Sequence, residues 1–265
     1  MRTLLLVLTL LLAAAPAAQA RWRPPPVTRH GVRLDRNGLI PRPLLRDALQ
    51  SLRVHGRQVA DLRRIAVVDL SRRSDEPRFY VLNLRDGSVR NLITTHGKGS
   101  DPDQTGGAVR ASNVAGSLAS SVGGYVTGEP YDSPTHLSRA VRLDGLDPTN
   151  SNTRCRCIVI HEANRADGTN YASAAWIASH VGSDGHGQAG RSDGCFAFSG
   201  EDFPYVLRRM TPGVFIYAGP ASLPQWTPES TTTQADCCPE AARPQSGEDP
   251  GSPRAAASGL TNRGS

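Results

Sequence analysis

What most constrains this chain is a succession of short runs rich in Val, Ile, Leu and aromatic residues, at 65–70, 78–84, 89–94, 122–127, 139–143, 157–161 and 213–218. Runs this short, bounded by Gly, Pro, Asp and Ser, read as strands. Asp86-Gly87 between two of them marks a tight hairpin, because the glycine accepts the positive φ such turns demand. The 26 Gly and 20 Pro exclude coiled coils and long helical bundles. Helices are expected only at 44–53, where Leu44, Leu45, Ala48, Leu49 and Leu52 recur at helical spacing behind Pro43, and at 174–181 and 202–210. The predicted fold is mainly β, a sandwich or barrel-like domain of mixed sheets with a few short helices, spanning 61–219.

The flanks differ in character. Met1-Arg2, the apolar run 4–15 and Ala18-Gln19-Ala20 form the pattern of a cleaved export signal, residues 1–20. The run is shorter than the ~20 apolar residues a bilayer span needs, so no stable membrane insertion is expected. Residues 21–60 read as a lead-in: an extended stretch around Pro24-Pro25-Pro26 without a core of its own, then the first helix. Residues 220–265 carry only Leu223, Trp226 and Leu260 as large apolar side chains, and are expected to form a disordered tail. The expected location is therefore periplasmic or secreted.

Net charge is +6, and all basic residues except Lys98 are arginines spread along the chain. No dense basic block interleaved with aromatics is present, so no nucleic-acid partner is expected. Five cysteines, an odd number, leave at least one outside any disulfide in an oxidising compartment. Cys155 and Cys157 lie two apart and Cys237 and Cys238 are adjacent, so neither pair bridges itself easily, and cross-pairing between the sets stays open. Cys195 stands apart by context.

That context is Gly190-Arg191-Ser192-Asp193-Gly194-Cys195, a glycine-flanked turn ahead of the apolar stretch 196–198. Such a turn exposes a thiol and lets successive N–H groups converge on one point. A buried structural cysteine is the bland alternative. The second signal is Cys157-Ile158-Val159-Ile160-His161, an apolar strand ending in a histidine. Alone it reads as a hydrogen-bonded core histidine; beside a reduced cysteine it supplies the base that a thiol nucleophile needs. His96, in a His-Gly-Lys-Gly-Ser turn, reads as a loop residue. The glycines of 97–107 lack the order of a phosphate loop.

Together with Val67-Val68-Asp69-Leu70-Ser71, Ser112-Asn113, Ser120-Ser121-Val122-Gly123 and Arg142-Leu143-Asp144-Gly145-Leu146, these motifs resemble the murein L,D-transpeptidase catalytic domain family over about residues 65–218. The resemblance implies Cys195 as nucleophile, His161 as its base, and Ser192 and Gly194 as the turn that shapes the site. The N–H groups of Cys195 and Gly194 would hold the oxyanion, and Arg191, Ser120 and Ser121 would line the substrate groove. It implies a monomer without cofactor or metal that takes peptidoglycan stem peptides as partners. Acylation of Cys195 would release D-alanine, and the acyl-enzyme would then pass its acyl group to an amine, giving a 3-3 cross-link, or to water, as in an L,D-carboxypeptidase. Many family members carry His before the Gly-Cys, where this chain has Asp193. That charge disfavours a thiolate unless Arg191 offsets it or the side chain points away. The long polar stretch between His161 and Cys195 is expected to form a lid. Two rival readings are a wall-binding protein silenced by Asp193, and a zinc enzyme using His161, His180, His186 and Cys195.

Overall fold

The computed structural model describes residues 27–182 and 184–229. Eight strands form one mixed sheet: β3 (Asp61–Asp69), β4 (Phe79–Asn83), β5 (Val89–Leu92), β6 (Gly123–Ser133), β7 (Ser138–Gly145), β8 (Val159–Glu162), β9 (Phe196–Phe198) and β10 (Val214–Gly219). A small hairpin, β1 (Thr28–Arg29) with β2 (Val32–Arg33), precedes them. The sheet order is β5-β4-β3-β10-β6-β7-β8-β9. Pairing is parallel for β3 with β10 and for β8 with β9, and antiparallel elsewhere.

The sheet curls until its edges meet. Just past β5, Thr95 donates its N–H to the Ala197 carbonyl in β9 at 3.1 Å, and Ala197 N–H returns to Thr95 Oγ1 at 3.2 Å. Those bonds cover groups that two open edges would leave exposed. The architecture is thus the barrel-like alternative, one curled sheet, and not a sandwich of two.

Strand alternation sorts side chains onto two faces. Ala66, Val68, Phe79, Val81, Val141, Leu143, Ile158, Ile160, Phe196, Phe198, Ile216 and Ala218 share the inner core, joined by Phe203, Val206 and Met210 from and just after α3 (Phe203–Arg209). On the outer face Ile65, Val67, Tyr80, Leu82, Phe215 and Tyr217 are covered by Leu44, Leu45, Ala48, Leu49 and Leu52 of α1 (Arg42–His55). Burial of each such side chain stabilises by roughly 1.5–3 kcal/mol. The helix and the sheet therefore share one core, and a boundary at residue 60 does not separate two bodies.

Three local expectations change. From residue 27 the lead-in is not bare: Leu34 and Ile40 are buried in the α1 cluster, and the Asp35 carboxylate accepts the N–H groups of Leu39 and Ile40. The start of the expected disordered tail docks as well. Leu223 enters the inner core, and Ala111 exchanges backbone bonds with Pro224 and Trp226. β9 was not foreseen as a strand, because three residues are too few to show a period. Residues 1–26, the expected signal among them, and 230–265 lie outside the described residues. Among the described residues no helix is long and apolar enough to cross a membrane.

The hairpin at Asp86-Gly87 joins β4 to β5, with Gly87 at φ +74°. A Cβ there would stand 2.0 Å from the Arg33 carbonyl oxygen, so the backbone of the small hairpin packs where only glycine fits.

Candidate active site

Parallel pairing of β8 with β9 sets Ile160 opposite Phe196 and His161 opposite Ala197. Since Ile158, Ile160, Phe196 and Phe198 face inward, Val159, His161, Cys195 and Ala197 face outward. On its other side His161 lies opposite Ala140 of β7. Two alanines thus flank the histidine, and their small side chains leave room for its ring and for the thiol. His161 of β8 and Cys195, just ahead of β9, open onto a pocket of about 460 Å³ lined also by His136, Tyr171, Trp176 and Arg191, among others.

Both central groups are buried. His161 Nδ1 lies 2.7 Å from the Glu162 carbonyl oxygen. A carbonyl only accepts, so Nδ1 carries the proton and Nε2 keeps the lone pair. Burial, reinforced by the neighbouring His136, lowers the His161 pKa from 6.5 to about 3, so the ring is neutral at pH 7. Cys195 Sγ–H donates to the Cys157 carbonyl at 3.5 Å. The resting pair is a thiol and a neutral imidazole.

The turn before the thiol is built by Ser192 and Gly194. Ser192 N–H donates to the His96 carbonyl and its Oγ to the Cys195 carbonyl at 2.8 Å, while Lys98 N–H donates to the Ser192 carbonyl. Gly194 adopts φ +121°, and its N–H donates to Ser192 Oγ at 3.2 Å. That bond takes up the Gly194 amide, so in this state it is not the oxyanion donor expected alongside the Cys195 N–H. Arg156, on the disulfide-bearing segment, donates to the carbonyls of Ser112 and Ala119 and so fixes the neighbouring loop.

The charged neighbours are arranged differently from expectation. Asp193 pairs with Lys98 Nζ at 2.9 Å, both half-exposed at the pocket rim, and Arg191 donates instead to the Asp101 carbonyl at 2.5 Å. The Asp193 charge is therefore offset by the chain's one lysine and not by Arg191. Arg191 lines the pocket, but Ser120 and Ser121 do not: both are buried, Ser120 Oγ accepting from Gly97 N–H and Ser121 Oγ bonding the Ser112 carbonyl and Arg156. They brace the loops beneath the site.

Cys155 and Cys157 are each disulfide-bonded, and Cys195 keeps its thiol. Cys237 and Cys238 lie outside the described residues. His96 lies in the loop after β5, as its turn sequence implies, and is buried there between Arg78 and Asp101, with Nδ1 2.7 Å from Arg78 Nη2.

The stretch between the two central residues forms one wall. Trp176 and His180 of and just after α2 (Ala174–Ser179) stack at 3.5 Å and 7°, with Arg165 above the indole. Arg73 ties the wall down through Asp184 and the Gly187 carbonyl. The opposite side holds the residue that sequence reading missed. His136, in the turn joining β6 to β7, lays its ring 3.8 Å from that of His161. One donor atom from each of His136, His161 and Cys195 falls within 4.8 Å of the other two. The zinc set read from sequence is thus not the one the fold assembles: among the described residues His180 sits on the wall and His186 is outside the pocket lining. Nothing in Pro134-Thr135-His136 marks a site, and only the β6–β7 pairing carries it there.

Residues 38–218 match the L,D-transpeptidase catalytic domain family. Similar solved structures include an L,D-transpeptidase from Mycobacterium smegmatis, 14% identical over 60% of this chain and 59% of that one, TM-score 0.33. A mutant of the helical cell shape determining protein Pgp2 from Campylobacter jejuni is 15% identical over 74% of this chain and 60% of that one, TM-score 0.35. The chain thus spans about 60% of the length of these two structures. No curated protein matches. With the match covering most of the curled sheet and the whole Cys195–His161 pocket, the chain belongs to the L,D-transpeptidase catalytic domain family.

Proposed function

We propose that this chain is an exported cysteine acyltransferase acting on peptidoglycan stem peptides. The observation that carries the reading is the placement of the Cys195 thiol, at the turn into β9, within 4.8 Å of an imidazole nitrogen of His161 on the neighbouring β8, in an open pocket. His161 Nε2 accepts the thiol proton as sulfur attacks the carbonyl before the terminal D-alanine. The C–N bond then breaks, the proton passes to the departing amine, and a thioester remains on Cys195. An amine of a second stem gives the 3-3 cross-link; water gives the carboxypeptidase outcome. Lys98, Arg165 and Arg191 stand on the pocket lining, and each can exchange its resting partner within the chain for a carboxylate of a stem peptide. The Asp193–Lys98 pair supports the enzyme over the silenced wall-binding reading, since the carboxylate is already compensated.

The test is a strained acyl donor. Incubation with a carbapenem is expected to raise the intact mass by one drug equivalent on Cys195. Cys195→Ser is expected to lose the adduct and to leave tetrapeptide stems unprocessed in muropeptide mass spectra. An adduct that persists in the Ser variant would sink the assignment.

A further inference from the structure

The same pocket holds a set of donors that proton transfer does not require. Three elements contribute: the β6–β7 turn gives His136, β8 gives His161, and the turn before β9 gives Cys195, with one donor atom of each within 4.8 Å of the others. Both imidazoles are fixed from behind. His161 Nδ1 is held by the Glu162 carbonyl at 2.7 Å, and His136 Nδ1 by Ser133 Oγ at 2.9 Å. Histidines that ligate metals are oriented in this way, the outer nitrogen anchored and Nε2 turned to the ion. The basic residues on the lining are each engaged elsewhere: Lys98 with Asp193, Arg191 with the Asp101 carbonyl, Arg165 facing Asp167 at 3.7 Å.

We propose that His136, His161 and Cys195 form a three-ligand site for a borderline-soft divalent cation, Zn²⁺ above all, which withholds the nucleophile from acylation. Two imidazoles and one thiolate suit zinc better than Mg²⁺ or Ca²⁺, which take oxygen ligands. Zn–S and Zn–N bonds are about 2.3 and 2.0–2.1 Å, so donors this close need only small side-chain rotations to meet on one ion. Binding breaks the Cys195 S–H bond, forms S–Zn and releases the proton to solvent; no electron moves. The pocket side leaves a fourth position for water. The metal site stands apart from the transpeptidase reading, and only its consequence, a silenced nucleophile, rests on that reading.

Zinc chloride alone is the probe, titrated into the purified chain in reductant-free buffer against a chromophoric chelator, with Cys195 alkylation by iodoacetamide followed by mass spectrometry. One equivalent is expected to bind, to slow Cys195 alkylation at least ~10-fold, and to be reversed by EDTA. His136→Ala is expected to abolish the protection, judged against its own zinc-free rate. Ser133→Ala, which keeps all three ligands, is expected to weaken zinc binding by about 10-fold; it serves alone if the His136 variant does not fold. His180→Ala is expected to bind as the wild type does. Binding well below one equivalent, equal protection in wild type and His136→Ala, unchanged affinity in Ser133→Ala, or loss in His180→Ala overturns the site. A chain that binds zinc through these residues yet takes no carbapenem keeps this site and loses the transpeptidase reading; acylation without zinc binding does the reverse.

Discussion

Gly194 holds φ +121° one residue before the thiol, and a Cβ there would stand 2.7 Å from both the Ala119 carbonyl oxygen and Ile158 Cδ1. Neither neighbour gives way easily, since one is backbone and the other sits in the inner core. Gly194→Ala is therefore expected to lower stability by about 1–3 kcal/mol. It should also slow carbapenem acylation by ~10-fold or more, because small misplacements of a reacting atom are costly. Urea midpoints and single-turnover acylation rates check both, and wild-type values for the pair would show that the turn relaxes freely. At this scale Cys195 and His161 were legible, one from its glycine-flanked turn and the other from its place at a strand end. His136 was not, because a histidine in a hairpin turn carries no local mark of the strand it will face.

Among the elements, the segment after β10 departs most from its composition. Leu223 is buried in the inner core, Trp226 N–H donates to the Ala111 carbonyl, and Arg110 lies 3.6 Å over the Trp226 ring. A chain ending after Pro220 is therefore expected to be less stable than one ending after Glu229, by about 1.5–3 kcal/mol for the Leu223 side chain alone. Both truncations lack Cys237 and Cys238, so the comparison isolates the docked segment. Thermal unfolding of the two proteins measures it, and identical midpoints would mean that the docking contributes nothing. α1 was read almost to its ends, since its apolar stripe and Pro43 are local signals. β6 was expected to stop at 127 and runs to Ser133, because a register shift between Thr127 and Pro130 lets the pairing with β7 resume at the proline, opposite Val141.

For the molecule as a whole, two buried histidines, His161 and His96, act on the acid side of stability, and His96 is the one outside the active site. Burial, then the Arg78 charge, lowers the His96 pKa from 6.5 to about 4 despite the opposing Asp101 carboxylate. Below pH 6.5 the unfolded chain takes a proton that the folded chain refuses until about pH 4, so stability falls as pH drops through that window. Urea midpoints between pH 7.5 and 4.5 should decline accordingly. His96→Gln is expected to be less stable at pH 7.5 but flatter across the window; an equal slope in both proteins would place the titrating group elsewhere. The Arg78 guanidinium that causes part of the shift also donates to the carbonyls of Thr94 and Arg72, so it fixes the segment that closes the sheet edge.

The sequence by itself determined the mainly-β class, most strands, the first helix, and the thiol and histidine of the site, because strand period, turn residues and a glycine-flanked cysteine are all encoded within a few neighbouring residues. Only the tertiary structure decided that one sheet curls until Thr95 meets Ala197, that Lys98 and not Arg191 faces Asp193, and that Ser120 and Ser121 brace loops and do not line the groove. It alone brings His136 to the thiol. These are contacts between residues distant along the chain, set by strand order and by which buried polar group finds which partner, and no local pattern carries that information.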